Sequence, residues 1–565
     1  MKKDNVKYSS KGTSGIMTNR RQLLAFGAAV TAMSWLGPKT GWAQTTLPAT
    51  PPSTPTGQVV IGFSQEPTVF QPLLPHIEVD EGVYASLFST LWRIDEKDIP
   101  RPDLISEIPT VDNGGVSADG ISWHLKLKPD AKWHDGKPFT AEDVKFNIEL
   151  IQNPKFMAGH RGGIDQIDNV KVLSPTELTF NLKAPYAPLM AVLSSSFLVP
   201  KHLLEHVEDI NRPVAFLDHP IGTGPFKWGE RIPGDHLTLV ASQSYHGNGP
   251  HLEKLIFKYV PEMTVLYTQF QTGDVDYVGI AGISPDHYEE AKALSGRKGI
   301  PVPQPFVECI PINLGIPIFH DPAVREALYL AIDKETIVEQ IYYGLPTATE
   351  SFLPKQSWAF NPDLKKHEYN PEKAKKILDD AGWKIGADGV REKDGLRLDF
   401  SNSTTAGNPT REQVQQILQQ GWLDIGVRMT IKNFPPAVMW GDYWNLSKYD
   451  TAIAGGNFTV GSDPDVSQWF SSKGIPVRGG GGNNTMQYVS SESDTLLTKG
   501  AAEVDMGKRK PIYLKLQEVI RNELPVLPLF QDTMVEGIKD GLLGFVPNVN
   551  VQENSWNTNT WYWAT

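Results

Sequence analysis

The chain has 565 residues, 40% of them hydrophobic and 21% charged, which is typical of a globular protein with material for two or three cores. Its formal net charge at pH 7 is -12. Because phosphate binding requires a basic surface and no dense Lys/Arg cluster is present, this composition argues against a nucleic acid as partner.

The N-terminal segment has the features of an export signal. Arg20 and Arg21 precede an apolar run of small residues at 23–36, and residues 41–43 (GWA) offer a small-x-small cleavage site. The segment TNRRQLL resembles a twin-arginine signal, with Leu23 where Phe is usual. We therefore predict a signal peptide at 1–43 and export after folding.

The next residues, 44–57, are rich in Pro, Thr and Ala and predict a flexible leader. Either Met1 or Met17 could be the true start. The apolar run is too short to span a membrane comfortably, and the mature protein is expected to be soluble. Cys309 is the only cysteine, so we expect neither a lipid anchor nor a disulfide, and we interpret it as a buried strand residue.

The first predicted elements of the mature chain are a buried strand at 58–64 and a helix around 81–92. The stretch 118–151 is better organised. Residues 123–128 alternate apolar and polar side chains, the period of a strand with one wet face. Thr140 then begins a helix, with Asp143 as its capping-box partner.

The loop between this strand and helix contains His134 and Asp135. These groups could be metal ligands or an acid/base pair. His-Asp-Gly before a proline is also ordinary turn chemistry, and we favour that structural interpretation.

A hairpin is predicted from 167–173 and 177–182, and a second two-histidine motif follows it. His202, Glu205 and His206 fit the His-x-x-Glu-His pattern of one class of zinc peptidases. Zinc would still need a third protein ligand and a position open to water. This motif gives the alternative function, a secreted metal-dependent hydrolase.

The segment 221–226 (IGTGPF) predicts a tight glycine turn, because no Gly-Lys-Ser/Thr follows to make a phosphate loop. Strands at 236–241 and 255–260 and a helix at 263–272 come next. An extended segment at 310–314 introduces the second half of the chain.

Capped helices alternate with strands in that second half, which indicates an α/β lobe. The helices are expected to begin after Asp321, Asp333, Asn370 and Asn408, with a further helix at 509–524 and a strand at 428–432. We expect Arg325 to form a structural ion pair. The four glycines at 479–482 predict a mobile loop.

Several of these segments together resemble one protein family. WHDGKPFTAEDVKF at 133–146, GTGP at 222–225, VREAL with AIDK at 324–334 and LPVLPL at 524–529 follow one another as in the extracellular solute-binding proteins of the peptide/nickel class, family 5. The resemblance implies an α/β fold of two lobes with a hinge between them, the type II periplasmic-binding-protein fold, with an extra subdomain in the first lobe.

The resemblance also implies the domain boundaries and the partners. Lobe one would comprise 58–75, 216–312 and 526–565, the extra subdomain 76–215, and lobe two 313–525. The protein would be a periplasmic monomer that captures a small organic ligand and delivers it to an ABC permease and ATPase complex. No catalytic residue, metal or cofactor is expected.

The stretch 439–470 of the second lobe is our candidate ligand pocket, because aromatic faces suit peptide side chains, sugars and other flat apolar surfaces. The candidate ligand-binding residues are Trp440, Tyr443, Trp444, Asn457, Phe458, Asp463, Asp465 and Trp469.

One position departs from the family pattern. Peptide-binding relatives hold the ligand's ammonium group with an aspartate shortly before the Asp-Pro element, and here that position corresponds to Val460, with Asn457 at the accompanying tryptophan position. An enclosed ammonium without a carboxylate would cost several kcal/mol. Asp463 or Asp465 could substitute, and peptide-like, oligosaccharide and opine-like ligands all stay open.

Overall fold

The computed structural model describes residues 50–459, 461–551 and 553–564. The predicted signal peptide and Val460 lie outside the described residues. Within the described ranges, none of the helices has the length and apolarity needed to cross a membrane.

The helices cover most of the positions predicted from caps and periodicity. They are α1 (Glu78–Leu87), α2 (Ala141–Gln152), α3 (Leu189–Ser195), α4 (Lys201–Leu204), α5 (Val214–Asp218), α6 (Met263–Thr272), α7 (Tyr288–Lys292), α8 (Pro322–Leu330), α9 (Lys334–Thr336), α10 (Pro371–Asp380), α11 (Pro409–Asp424), α12 (Pro436–Val438), α13 (Ser467–Phe470), α14 (Ser491–Ala502) and α15 (Met506–Glu523). Single π-helical turns continue α9 at Ile337–Ile341 and α12 at Met439–Tyr443.

The strands are β1 (Gln58–Phe63), β2 (Trp92–Ile94), β3 (Pro100–Pro102), β4 (Ser122–Lys126), β5 (Ile167–Ser174), β6 (Glu177–Leu182), β7 (Phe226–Ile232), β8 (His236–Ala241), β9 (Lys254–Tyr259), β10 (Tyr277–Ile283), β11 (Arg297–Pro311), β12 (Thr347–Ala348), β13 (Lys384–Ile385), β14 (Arg391–Lys393), β15 (Leu396–Arg397), β16 (Asp399–Ser403), β17 (Arg428–Ile431), β18 (Thr451–Ala452), β19 (Ala454–Gly456), β20 (Val526–Lys539), β21 (Leu542–Leu543) and β22 (Tyr562–Trp563).

The largest sheet has the order β19-β11-β20-β10-β1-β9-β8-β7. Its centre is parallel, since β1 pairs in parallel with both β9 and β10. The long strands β11 and β20 run antiparallel to each other over their whole length. The predicted hairpin of β5 and β6 is confirmed, and β4 completes its small sheet.

The buried side chains separate into two sets, and this defines two lobes. Two clusters draw all their buried residues from positions 59–291 and 535–561. Three others lie entirely within 307–530. Among the described residues, the chain passes from one set to the other in β11 and again in β20, so we call these the crossing strands.

The extra subdomain is not a separate core. Residues of its small sheet, such as Trp123 and Phe180, belong to the same buried cluster as Val59 and Phe257 of the large sheet. The apolar face of α2 is buried in this cluster too, and the predicted capping box is present, with the Thr140 N–H donating to Asp143 Oδ2 at 2.9 Å.

Two expectations need correction. The first helix begins and ends earlier than predicted, because the carbonyl of Leu87 accepts the N–H of Gly224 (3.1 Å) instead of continuing the helix, and Trp92 already lies in β2. A Cβ on Gly222 would lie 1.9 Å from that carbonyl, so the glycine turn exists to let the two backbones meet.

The second correction concerns Arg325. Its guanidinium donates to the main-chain carbonyls of Glu523 and Phe319 instead of forming the predicted ion pair. Among the described residues, no carboxylate oxygen lies within ion-pair distance of it. The side chain therefore caps chain segments at the end of α15. Cys309 is buried in β11 as predicted.

Candidate functional site

The predicted aromatic residues of lobe two form one continuous surface. Trp440 lies in the π-helical turn that follows α12 and Trp444 comes directly after it, with ring centroids 5.3 Å apart. Phe458 and Trp469 stack edge to face at 5.0 Å. Trp469 also packs against the cluster that holds Trp444, so the two pairs join. We call these residues, with Tyr443, the aromatic wall.

Exposure divides this wall into two layers. Tyr443, Trp444 and Phe458 are buried, and the Tyr443 hydroxyl is 2.9 Å from Ser403 Oγ. Trp440 and Trp469 are half-buried. The Trp440 indole N–H donates to Thr405 Oγ1 at 2.9 Å, which fixes the ring. The buried rings therefore lie beneath the half-buried ones.

The wall lies at the border with lobe one. Gln468, next to Trp469 in α13, has its amide nitrogen 3.5 Å from His160 of the extra subdomain. Two residues before α13, Asp465 accepts a hydrogen bond from the hydroxyl of Tyr186 at 3.4 Å. The main-chain N–H of Ala187 also donates to the carbonyl of Ala501 at 2.8 Å. The lobes therefore touch along one edge of the wall.

The two predicted aspartates have different partners. Asp463 is buried and bound in two places by the guanidinium of Arg509, at 2.8 and 2.9 Å. Asp465 accepts from the N–H and hydroxyl of Ser467, and burial raises the pKa of its carboxyl. Asn457 is half-buried and accepts from the Thr459 hydroxyl.

A charged group at the crossing strands escaped the sequence analysis. Glu308 of β11 binds Arg411 of α11 in two places, at 2.6 and 2.9 Å, and both side chains are largely buried. Asp532 of β20 lies near this pair, and burial together with the negative Glu308 raises its pKa to about 6. The sequence signal for this group was the presence of charged residues, Glu308 and Asp532, within otherwise apolar strands.

The His134 loop has the structural role that we favoured. Its Nε2 lies 3.0 Å from the carbonyl of Gly224, and Nδ1 accepts the N–H of Gly222. Burial lowers the pKa of His134 to about 4, so the ring is neutral at pH 7. It holds the glycine turn in place.

The geometry does not support the zinc-peptidase motif. The helix α4 ends at Leu204, so the two histidines do not share a helix face. His202 is paired with Asp135 at 2.8 Å, whereas His206 is 88% exposed. The described part of the chain contains no group of three His, Cys, Asp or Glu side chains that could hold a metal ion.

Comparison with known proteins gives the family. Residues 100–476, well over half of the chain, match the bacterial extracellular solute-binding proteins, family 5. The chain belongs to this family. It is 27% identical to the oligopeptide-binding protein AppA of Bacillus subtilis, over 90% of this chain and 92% of that protein. It is 25% identical to the dipeptide-binding protein of Escherichia coli, over 82% and 90%.

Solved structures agree with this membership. AppA of Bacillus subtilis in complex with a nonapeptide has a TM-score of 0.78 at 26% identity, covering 91% of this chain and all of that one. NikZ of Campylobacter jejuni in complex with Ni(L-His) also has 0.78, at 27% identity, covering 89% and 99%. The predicted two-lobe periplasmic-binding-protein fold is confirmed.

The family also gives the general function. This chain is a solute-binding protein of the kind that serves ABC importers, as predicted, with a permease and an ATPase as its partners. Its family acts outside the cytoplasm, in the periplasm or extracellular space.

Proposed function

We propose that this solute-binding protein is a periplasmic monomer that closes its two lobes around a polar organic solute. The observation that carries the proposal is the aromatic wall, whose half-buried ring Trp469 is the neighbour of Gln468, a residue that contacts lobe one. Because a ligand held between the lobes contacts both, it stabilises the closed arrangement by its differential affinity for that arrangement.

The binding residues are those of the wall and its polar rim. Trp440 and Trp469 supply open aromatic faces, Tyr443, Trp444 and Phe458 support them, and polar groups at the rim orient the ligand. The rim consists of Asn457, Asp463 and Asp465. Asp463 acts through Arg509, which it neutralises and holds in place.

We also propose the export route of the protein and the boundaries of its lobes. The twin-arginine-type signal exports the folded protein, and no lipid anchor follows it. Lobe two spans 313–525, lobe one comprises 58–75, 216–312 and 526–565, and the subdomain 76–215 belongs to lobe one.

Three classes of ligand fit this aromatic wall. Peptide-like, oligosaccharide and opine-like solutes all present flat or apolar surfaces to stacked indoles. Micromolar capture corresponds to roughly -8 kcal/mol, which an enclosed cleft supplies.

Mass spectrometry of the solute released from natively exported protein identifies the ligand. Small-angle scattering should then show compaction when that solute is added back to the emptied protein. A particle whose radius of gyration stays constant at saturating solute would contradict lobe closure. Zinc analysis of the same preparation serves as the control for the hydrolase alternative, and stoichiometric zinc lost on His202→Ala would favour the hydrolase over the solute-binding protein.

A further inference from the structure

An ion pair lies beneath an exposed glycine of β19. Glu308 of β11 binds the guanidinium of Arg411 in two places, at 2.6 and 2.9 Å, and the two side chains are 8% and 18% exposed. Gly455 is opposite Glu308 in the sheet and is itself exposed. A Cβ on Gly455 would lie 3.0 Å from Glu308 Oε2 and 3.2 Å from Arg411 Nη2. The missing side chain therefore leaves space directly over an acceptor and a donor.

The β19 side of this pair adjoins the aromatic wall. Ala454 precedes Gly455 and belongs to the buried cluster against which Trp440 and Trp469 pack. Phe458, three residues after Gly455, has its ring 5.0 Å from that of Trp469. The space over the pair therefore lies within the stretch of chain that forms the wall.

The α11 side of the pair adjoins the wall as well. The Trp440 indole N–H donates to Thr405 Oγ1 at 2.9 Å. The carbonyl of Thr405 accepts the N–H of Asn408 at 3.4 Å, and the Asn408 side chain accepts the main-chain N–H of Arg411 at 3.0 Å. Hydrogen bonds therefore connect the wall to the helical turn that carries Arg411.

The pair keeps unused hydrogen-bonding capacity. Arg411 donates to Glu308 through Nε and Nη2, and within the described ranges its Nη1 has no hydrogen-bond partner. Each carboxylate oxygen of Glu308 accepts one of these bonds and has a further lone pair. Burial of an ion pair contributes little net stability, because desolvation offsets the attraction. A donor and an acceptor held side by side suit groups that accept and donate at once, as adjacent hydroxyl groups do.

The carboxylates that border the wall are paired or shifted toward the neutral form. Glu308 and Asp463 are each bound in two places by an arginine. Burial raises the pKa of Asp465, which favours its neutral carboxyl form. A charged solute group enclosed here would therefore lack a counter-charge, which costs several kcal/mol. An uncharged solute avoids that cost.

We propose that the Glu308–Arg411 pair is the polar floor of the solute site and binds adjacent hydroxyl groups of an uncharged, sugar-like solute. The N–H groups of Arg411 Nη1 donate to the hydroxyl oxygens, and a hydroxyl group donates to Glu308. The indole rings of the wall cover the apolar faces of the sugar rings. The inference rests on the proposed function and narrows its three ligand classes to one, the oligosaccharides.

Solute released from natively exported protein tests the class. One half is oxidised with periodate, which cleaves the carbon–carbon bond between adjacent hydroxyl groups, and both halves are titrated against the emptied protein. Oxidation should weaken binding by about tenfold or more, because hydrogen bonds to the charged pair are lost. Tandem mass spectrometry should show a hydroxyl-rich molecule without amino or carboxyl groups. Unchanged affinity after oxidation, or an amino or carboxyl group in the solute, overturns the assignment.

Gly455→Ala tests the floor without removing a charge. The added Cβ fills the space over Glu308 and Arg411, so affinity for the released solute should fall by about tenfold or more. Gly481→Ala is the matched control, because a Cβ there would have no atom within 4 Å, and it should bind as the wild type does. Neither glycine has a positive φ, so the backbone accepts alanine at both positions.

Arg411→Lys tests the donor side of the floor. It keeps a positive charge opposite Glu308 but removes the planar fork of N–H groups, so it should lose affinity for the released solute to a similar extent. This variant decides the matter if Gly455→Ala does not fold. Wild-type affinity in either folded variant overturns the role of the pair.

Scattering separates the failure of this inference from that of the proposed function. Suppose that the released solute compacts the protein but resists periodate, or binds Gly455→Ala as tightly as the wild type. The hydroxyl-binding floor would then be overturned, and lobe closure would stand. Absence of compaction at a saturating concentration of the released solute would overturn both.

Discussion

The role of a buried carboxylate in this protein depends on its hydrogen-bond partner. Asp463 looked like a free rim carboxylate in the sequence, yet Arg509 encloses it from a helix 46 residues later. Glu553, which drew no attention in the sequence, is buried, and its Oε1 has no hydrogen-bond partner. Local sequence patterns do not predict such pairs, because helix and strand periodicity relates only residues that are close together in the chain.

Arg509→Met should destabilise the fold by about 3–5 kcal/mol, because it leaves Asp463 buried and uncompensated. Chemical denaturation measures the loss. The double variant Asp463→Asn/Arg509→Met should recover part of that stability. Equal stability of the single variant and the wild type would show that the pair contributes nothing.

Glu536 should make stability depend on pH. Burial raises its pKa to about 7, whereas the unfolded chain has the ordinary value of 4.5. Between these values the folded state keeps a proton that the unfolded state has released, so the contribution is full below pH 4.5 and is lost as pH rises to 7. The expected loss is about 3 kcal/mol, at roughly 1.4 kcal/mol per pKa unit.

Glu536→Gln should flatten that part of the stability curve, as measured by urea denaturation at pH 4.5, 6 and 7.5. The amide oxygen can still accept from Tyr277, whereas the bond donated by Asn554 is lost, which lowers stability equally at every pH. An unchanged pH slope in the variant would contradict the assignment. Glu149→Gln is the matched control.

At the scale of elements, capped helices and alternating strands were predictable and the crossing strands were not. α6 and the caps at Asp321, Asn370 and Asn408 agree with the sequence because their signals are local. β11 was predicted only at its end, because prolines at 301, 303 and 305 argue against a central strand.

The sheet explains how β11 tolerates these prolines. On one side β11 pairs with β20, but on the other side β19 pairs only with residues 307–309. The proline-containing part therefore has a free edge, where a missing N–H breaks no ladder bond. Whether a strand tolerates prolines therefore depends on its place in the sheet, and local sequence patterns do not give that place.

The π-helical turn at 439–443 gives a prediction for the aromatic wall. Trp440→Ala should weaken solute binding at least tenfold with a small change in melting temperature, since the ring is only half-buried. Trp444→Ala should instead cost about 3–5 kcal/mol of stability, because that ring packs on Tyr449 in the core. Titration with the co-purified solute and thermal denaturation distinguish the two.

If Trp440→Ala bound the solute as tightly as the wild type, the wall would not be the contact surface. Tyr369→Ala, at an exposed aromatic outside the wall, controls for unspecific effects and should change neither quantity.

For the whole molecule, the contact edge between the lobes sets the balance between open and closed arrangements. The bond from the N–H of Ala187 to the carbonyl of Ala501 exists only while the lobes touch. An intramolecular hydrogen bond makes a net contribution of about 0.5–1.5 kcal/mol to the stability of the state that contains it. Its removal therefore shifts the equilibrium toward the open arrangement by a factor of about 2–10.

Ala187→Pro removes that N–H and should weaken solute affinity by the same factor, with a larger radius of gyration for the unliganded protein in scattering. Ala187→Ser keeps the N–H and should behave as the wild type. A smaller radius of gyration in the proline variant would contradict the role of this edge.

The position of β20 in the large sheet has a consequence for synthesis. This strand lies between β11 and β10, yet it is translated after all the other strands of this sheet. Until β20 is made, β10 and β11 each have unpaired backbone N–H and C=O groups along one edge, which promote aggregation of nascent chains. We expect premature stop codons before residue 526 to yield insoluble polypeptide instead of a shortened, working lobe.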